Sequence, residues 1–378
     1  MRVEIRPIRL PAHVGDADDA ELHAYTALLR RLDAETLGTG DLTRRPAEVL
    51  LDLRRTEFTQ HTAIGAFDDD RLVGLVEVQW ELDDDAATAY LDVLGVEPDR
   101  RREGIGSALL AAAEEAAHAA GRPTTVLSAE HLIDDGKPPG PTLRAPQGDA
   151  ELPADAPSAR FALARGYELG QLYRISAMDV AGRGDEFRRR LDVELERATD
   201  DYRLVSWQDE APAELVDSLA IAHERMSIDP PAGAIAWGLE RWDASRIRAG
   251  ERNAREVGRI HLDVVAVAPD GDVAGFTELS LLPDSPAVEQ WDTIVLAAHR
   301  GHRLGMRMKL ANLVALADAD PSRNRIYTWN ADENEHMLAI NVALGFRPFA
   351  LESTWQKPGS SAASGAAGSA GTGATSGS

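Results

Sequence analysis

The chain contains no cysteine, which excludes disulfides, thiolate catalysis and cysteine–zinc sites. It has no apolar run near the ~18 residues that span a bilayer, so no membrane partner is expected. Its first residues, Met1-Arg2-Val3-Glu4-Ile5-Arg6, alternate like a strand and carry charge throughout. That is not a secretory leader, and a cytoplasmic location is expected. Basic charge is scarce: 40 Lys and Arg stand against 63 Asp and Glu, for a net charge of −23. Non-specific nucleic-acid binding depends on Lys and Arg neutralising phosphates, so no nucleic-acid partner is expected. An acidic surface instead attracts cations such as amines. No carboxylate–histidine spacing of the zinc type is present, and no metal is expected. Nothing in the sequence sets an oligomeric state.

What is present is 378 residues, 44% of them hydrophobic, enough for about two domains. One stretch organises the rest. Val93, Leu94 and Val96 read as a buried strand that Pro98 ends. A basic turn follows, Arg100-Arg101-Arg102-Glu103-Gly104-Ile105-Gly106-Ser107, and then Ile105, Leu109, Ala112 and Ala116 recur at helical spacing. Gly104 and Gly106 permit a tight turn and a close approach. Free N–H groups at a helix start, among arginines, make an anion cradle. A Walker loop would need a Gly-Lys-Ser/Thr ending, which is missing. A Rossmann fingerprint would need three glycines at the start of a βαβ unit.

These residues resemble motif A of the GCN5-related N-acetyltransferases, the GNAT superfamily. Val96, Pro98, Arg101, Gly104, Ile105, Gly106, Ala108, Leu109 and Leu110 all fall on its pattern V-x-P-x-x-R-x-x-G-I-G-x-A-L-L. The resemblance implies acetyl-CoA as co-substrate, held in a splay between two parallel strands. Pantetheine would pair with the backbone of Leu94 and Val96. The pyrophosphate would rest on Arg101, Arg102, Glu103, Gly104, Ile105, Gly106 and Ser107.

Read in order, strands are expected at Val3–Leu10, Thr62–Phe67, Leu72–Leu82, Ala86–Val96 and Thr124–Ser128. Helices are expected at Ala20–Leu32 and Pro46–Phe58, and again after the cradle as far as Gly121. Asp134 to Pro157, rich in Pro, Gly and Asp, reads as a mobile loop insertion. A short helix ending at Gly166-Tyr167 and two closing strands complete the first half. A charged connector, 181–200, carries Phe187, Leu191 and Leu195 at helical spacing. The pattern then repeats. Val73-Gly74-Leu75-Val76-Glu77 is echoed by Ala274-Gly275-Phe276-Thr277-Glu278. The cradle is echoed by Thr293 to Gly305, and Gly166-Tyr167 by Gly345-Phe346. The expected architecture is therefore α+β. It has two tandem GNAT domains at 1–180 and 201–357, each a mixed, mostly antiparallel sheet flanked by helices. A Gly/Ala/Ser tail from 358 to 378 cannot bury enough surface to fold. The layout is similar to that of the mycothiol synthase family.

The second half departs from the motif. Arg303 stands where Gly104 stands in the first, while Gly305 keeps the second glycine. An arginine in a left-handed position carries strain. Even so, His299-Arg300-Gly301-His302-Arg303-Leu304-Gly305 resembles a variant found among actinobacterial-type tandem GNAT proteins, which implies a working cradle. Thr293 and Val295 would hold pantetheine there, and Arg300, His302 and Arg303 would add positive charge for phosphate. Downstream, Asn330, Asn334, Asn341, Gly345 and Phe346 resemble motif B, with Asn341 where a tyrosine usually protonates the departing CoA thiolate. Asn341 cannot act as an acid, although its NH₂ can hydrogen-bond sulfur. In the first half the same place holds Ala162. Amide formation also needs a base to take the amine proton. Glu77 and Glu278, at matching places in the repeat, and Asp292 are the candidates. The expected activity is transfer of an acetyl group to a primary amine of a small molecule. Two alternatives remain at this stage. One is a non-catalytic acyl-CoA-binding module, favoured by the missing tyrosine. The other is a protein or peptide N-acetyltransferase.

Overall fold

The computed structural model describes residues 3–54, 56–133 and 140–358. The 358–378 tail therefore lies outside the described residues from 359 onward. The first half runs β1 (Glu4–Pro7), α1 (Ala20–Leu37), α2 (Pro46–Asp52), β2 (Thr59–Asp68), β3 (Arg71–Glu81), β4 (Thr88–Val96), α3 (Ile105–Ala119) and β5 (Thr124–Leu132). Two short strands follow, β6 (Thr142–Leu143) and β7 (Leu152–Pro153), and then α4 (Pro157–Leu163) and β8 (Glu168–Asp179). Helix α5 (Gly184–Glu196) connects the halves. The second half runs β9 (Arg203–Gln208), α6 (Val216–Met226), α7 (Ala244–Glu256), β10 (Ile260–Val267), β11 (Val273–Leu281), β12 (Ala287–Val295), α8 (Leu304–Ala319), β13 (Arg325–Ala331), α9 (Glu335–Leu344) and β14 (Arg347–Lys357). None of the described helices is long and apolar enough to cross a membrane.

Among the described residues, twelve strands form one sheet in the order β1-β2-β3-β4-β5-β14-β8-β13-β12-β11-β10-β9. The order is a palindrome of the repeat. Each half contributes five strands from its own outer edge inward, and the two closing strands are exchanged at the centre. β14 pairs with β5 from Ala350↔Leu132 to Lys357↔Thr125, and β8 pairs with β13 from Arg325↔Asp179 to Ala331↔Tyr173. Trp355 of β14 is fully buried in the core that holds Leu127, Leu109 and Ile105 of the first half. Helices cover both faces: α1 and α2 bury Leu22, Tyr25, Leu28 and Val49 against β2 and β3, and α3 buries Leu109 and Ala113 on the opposite face.

Three expectations are corrected. The helix at Pro46 stops at Asp52 instead of Phe58, and the chain passes through a turn into β2. The first half closes with one long strand, β8, and not with two. The described part of the insertion, 140–157, is not a free loop, and 134–139 lie outside the described residues. Its β6–β7 pair is anchored by Asp332 of the second half, whose Oδ2 accepts from the amides of Asp149 and Ala150 (2.6 Å for the latter). Ala145 and Leu152 are buried in the first-half core. The connector is a helix as expected. Phe187 is buried against Met306 and Leu310 of α8, while Leu195 stays exposed.

Candidate active site

Both halves build the same wedge. β4 pairs in parallel with β5 only from Thr88↔Thr124 to Leu91↔Leu127, and β12 with β13 only from Ala287↔Arg325 to Gln290↔Thr328. Beyond those pairs the strands part, and one edge of Val93–Val96 and of Asp292–Val295 is left without a strand partner. Each wedge ends in a turn into a helix. Two residues of each turn are left-handed: Arg102 (φ 68°) and Gly104 (φ 87°) in the first, Gly301 (φ 90°) and Arg303 (φ 57°) in the second. The arginine and the glycine have traded places. The expected strain at Arg303 is present, and Arg102 carries the same. The opening amides of α8, at Leu304, Gly305 and Met306, have no acceptor within the helix.

The two cradles are furnished differently. In the first, Arg101 donates to the Val96 carbonyl (2.9 Å) and forks onto Glu35 (2.7 Å twice). Glu103 pairs with Arg100, and the Ser107 hydroxyl is engaged by Arg165. Phe161 sits against Gly106. In the second, Arg300 donates to the Val295 carbonyl (3.2 Å), as Arg101 does to Val96. Arg303 turns to Glu194 of α5 (2.6 and 2.7 Å), and His302 lies 3.3 Å from Asp200. The positive side chains expected to face a phosphate are thus largely tied to carboxylates, and the backbone amides remain.

A cleft of about 830 Å³ opens on the second cradle. Asp292, Thr293, Val295, Arg300, Gly301, Arg303, Leu304, Gly305, Asn330 and Asn334 all line it. Glu278, His302 and Asn341 do not; Glu278 lies behind the lining residue Asp292. Asn341 is 2% exposed and donates to Asn330 Oδ1 (2.6 Å), so it orients a lining residue from behind. Asn334 caps α9 by accepting from the Met337 amide (3.2 Å).

The candidate bases separate sharply. Glu77 is 6% exposed, bonded by the Tyr25 hydroxyl and by Arg44 (2.9 Å). It is a sequestered ion pair, and its candidacy as a base is withdrawn. Its strand neighbours are Ala63 and Val93. Glu278 has instead Asp263 opposite it on β10. On its other side β12 bulges, with Trp291 and Asp292 facing the single residue Glu278. Gln290 fills the gap and donates to the Glu278 carbonyl (2.6 Å). Three carboxylates therefore cross β10, β11 and β12 in a row. Burial first, then Asp263 and Asp292, push the Glu278 carboxyl far above its usual range. Burial raises Asp263 to about 8 and Asp292 to about 6.

His223 completes this group and was not legible in the sequence. It projects from α6, is 7% exposed, and stacks between Trp242 (4.5 Å) and Phe276 (4.2 Å). Burial lowers it to about 3, so the ring is neutral. Its Nε2 lies 3.7 Å from Glu278. The ligand atoms of His223, Glu278 and Asp292 all lie within 4.8 Å of one another, close enough for a cation to bridge. The expectation that no metal constellation exists is corrected to that extent. The three residues are 55 and 14 positions apart in the chain, so no spacing rule could have joined them.

Residues 27–133 match the acetyltransferase (GNAT) family. No curated protein matches the chain by sequence. Among solved structures, a tandem GNAT protein from the clavulanic acid biosynthesis pathway is 26% identical, with a TM-score of 0.69. The alignment covers 94% of this chain and 98% of that one. A GCN5-related N-acetyltransferase from Sphaerobacter thermophilus aligns over 94% of this chain and 95% of its own, at 14% identity and a TM-score of 0.57. A glucosamine N-acetyltransferase region of a fungal multi-domain β-N-acetylglucosaminidase aligns over 94% of this chain and 38% of its own, at 16% identity and 0.58.

Proposed function

We propose that this chain, whose residues 27–133 match the acetyltransferase (GNAT) family and whose fold is that of a tandem GNAT protein, is a tandem acetyltransferase with its second half the catalytic one. It binds acetyl-CoA in the 830 Å³ cleft and transfers the acetyl group to a primary amine of a small molecule. The observation that carries this reading is the pairing of an open cleft at the α8 cradle with a crowded, proton-hungry carboxylate row beside it. The first half has the fuller motif but a neutralised glutamate, and the insertion's Ala145 and Leu152 join the core around its wedge. The similar tandem GNAT protein comes from a small-molecule biosynthetic pathway, which favours a small acceptor here too.

In this scheme the α8 amides and helix dipole hold the pyrophosphate. Pantetheine runs along the free edge of Thr293–Val295, and the thioester faces the bulge at Asp292. Burial and the neighbouring carboxylates make Glu278 hold its proton through neutral pH, so it works as a base on the alkaline side, where its ionised form is strongly basic and takes the proton of a cationic amine. Glu278 is the acceptor of that proton, and Asp263 and Asp292 set its basicity. The neutral His223, 3.7 Å from Glu278, adds no positive charge that would lower its basicity. The freed amine then attacks the thioester directly in a ternary complex. Localisation in the cytoplasm fits a CoA-dependent reaction.

Glu278→Gln tests this. CoA release measured with a panel of small amines is expected to fall at least about 100-fold, the usual worth of a positioned base. Acetyl-CoA affinity by calorimetry stays within a few-fold. Unchanged turnover in Glu278→Gln contradicts the assignment, and tight acetyl-CoA binding with no amine accepted would favour a non-catalytic acyl-CoA-binding role.

A further inference from the structure

Helix α8 carries a buried cation that this scheme leaves unused. Lys309 is 2% exposed, lines the cleft, and has no hydrogen bond or ion pair with any described residue. It lies four positions after Gly305. The residue four positions after Gly106, in the same turn of the other half, is Leu110, also 2% exposed and part of the apolar core. Packing at this place calls for a leucine. A lysine there is a desolvated cation without a partner, which packing alone disfavours. Burial alone brings its ammonium down to about 7. The charged and titratable groups that share the cleft are Asp229, Asp292, His299, Arg300, Arg303 and His336. Several already have partners: Arg303 is on Glu194, His299 is on the Tyr202 hydroxyl (2.9 Å), and Arg300 is on Val295 with Asp229 at 3.8 Å.

The position of Lys309 along the cleft matters. A phosphate on the α8 amides fixes one end of the cofactor. The free edge of β12 leads from there toward Gln290 and Thr328, where the two strands close together. The reactive sulfur belongs at that closed end. Lys309 stands about one helical turn inside Gly305 and lines the same cleft as Gln290. No tyrosine lines this cleft among the described residues, and Asn341 is turned to Asn330.

Resting on the acetyl-CoA reading of the cleft, we propose that Lys309 is the catalytic acid that protonates the departing CoA sulfur. The amine nitrogen attacks the thioester carbonyl, the C–N bond forms, and an electron pair moves onto the carbonyl oxygen. Its return breaks the C–S bond, and sulfur leaves with that pair. The Lys309 ammonium gives sulfur a proton, producing the thiol and a neutral lysine. Glu278, having passed the proton of the incoming ammonium to solvent, takes the extra proton from the new amide nitrogen. Solvent takes it from Glu278 and returns one to Lys309, so the sum is amide plus CoA thiol.

The sulfur can be watched without any acceptor amine, because thiolate has its own ultraviolet absorbance. CoA is bound to wild type, Lys309→Met and His336→Ala, and each complex is titrated with pH. A cation beside sulfur favours the thiolate, and the two groups titrate as a pair. Thiolate is expected to form in wild type and His336→Ala at least about one pH unit below Lys309→Met, a tenfold difference in the ionisation equilibrium. Methionine fills the place of Leu110, and circular dichroism checks its fold. Should that variant fail to fold, Lys309→Gln undergoes the same titration. The same thiolate titration in wild type and the lysine variant, with CoA bound to both, overturns the proposal and leaves the cleft reading intact. A shift lost in His336→Ala assigns the proton to His336 and also overturns it. Failure of wild type to bind CoA overturns the cleft reading, and the proposal falls with it.

Discussion

At the residue scale, two glutamates at matching places in a repeat have opposite chemistry because of their neighbours. Glu77 faces Ala63, Val93, Arg44 and Tyr25, whereas Glu278 faces Asp263, Asp292 and a neutral His223. Breaking the first arrangement leaves Arg44 with Asp52 as its remaining carboxylate and the buried Tyr25 hydroxyl without its acceptor. Glu77→Ala is expected to cost about 1–3 kcal/mol in chemical denaturation without touching the transfer chemistry. The second behaves in the reverse sense. Carboxyls whose folded values are raised bind more protons in the folded state, so their contribution to stability is fully present at low pH. It is lost as pH climbs toward about 8, where Asp263 ionises. Asp263→Asn is therefore expected to match wild type in melting temperature near pH 4 and to exceed it at pH 8. The same substitution moves the acidic limb of the kcat profile downward. The repeat pointed to Glu278 and the expected pantetheine strand to Asp292, but Asp263 and His223 needed strand register and helix docking, which alternation and spacing do not encode. The same holds for the Tyr25–Arg44 clasp that disqualifies Glu77.

At the scale of elements, the cradle turn requires two left-handed residues two positions apart. Matching glycine to glycine makes the second cradle look damaged at Arg303. The dihedrals show a displaced glycine instead, since Gly301 takes the place of Arg102. Each turn holds one arginine at a cost of about 1–2 kcal/mol. Arg102 is exposed and Arg303 is held by two bonds to Glu194. Arg102→Gly is accordingly expected to raise stability by about 1 kcal/mol in urea titrations. Arg303→Gly gains less, because it surrenders the Glu194 fork. The strand–turn–helix order was legible from Val96 to Leu110, and motif A was met in register. The insertion was legible as an interruption only. Its clasp by Asp332 comes from a residue almost two hundred positions away, beyond any local pattern.

At the scale of the molecule, the repeat predicts two like units, and the sheet joins them by exchanging closing strands. Local sequence is the same whether β14 pairs with its own half or reaches β5, so the exchange is invisible to periodicity. Its consequence is cooperativity. Trp355 belongs to the second half by sequence and to the first-half core by position. Trp355→Ala is expected to cost about 3–5 kcal/mol and to lower a single calorimetric transition for the whole chain. Two separated transitions, with only one shifted, would contradict a shared sheet. The joined sheet also leaves two cradles on one body, and the proposed catalysis belongs to the second. Calorimetric titration of acetyl-CoA into wild type, Gly106→Trp and Gly305→Trp tests that most directly. Binding abolished by Gly305→Trp, where a side chain enters the cleft beside Ile340, and retained in Gly106→Trp is the predicted result. Binding abolished by Gly106→Trp and retained in Gly305→Trp would contradict it.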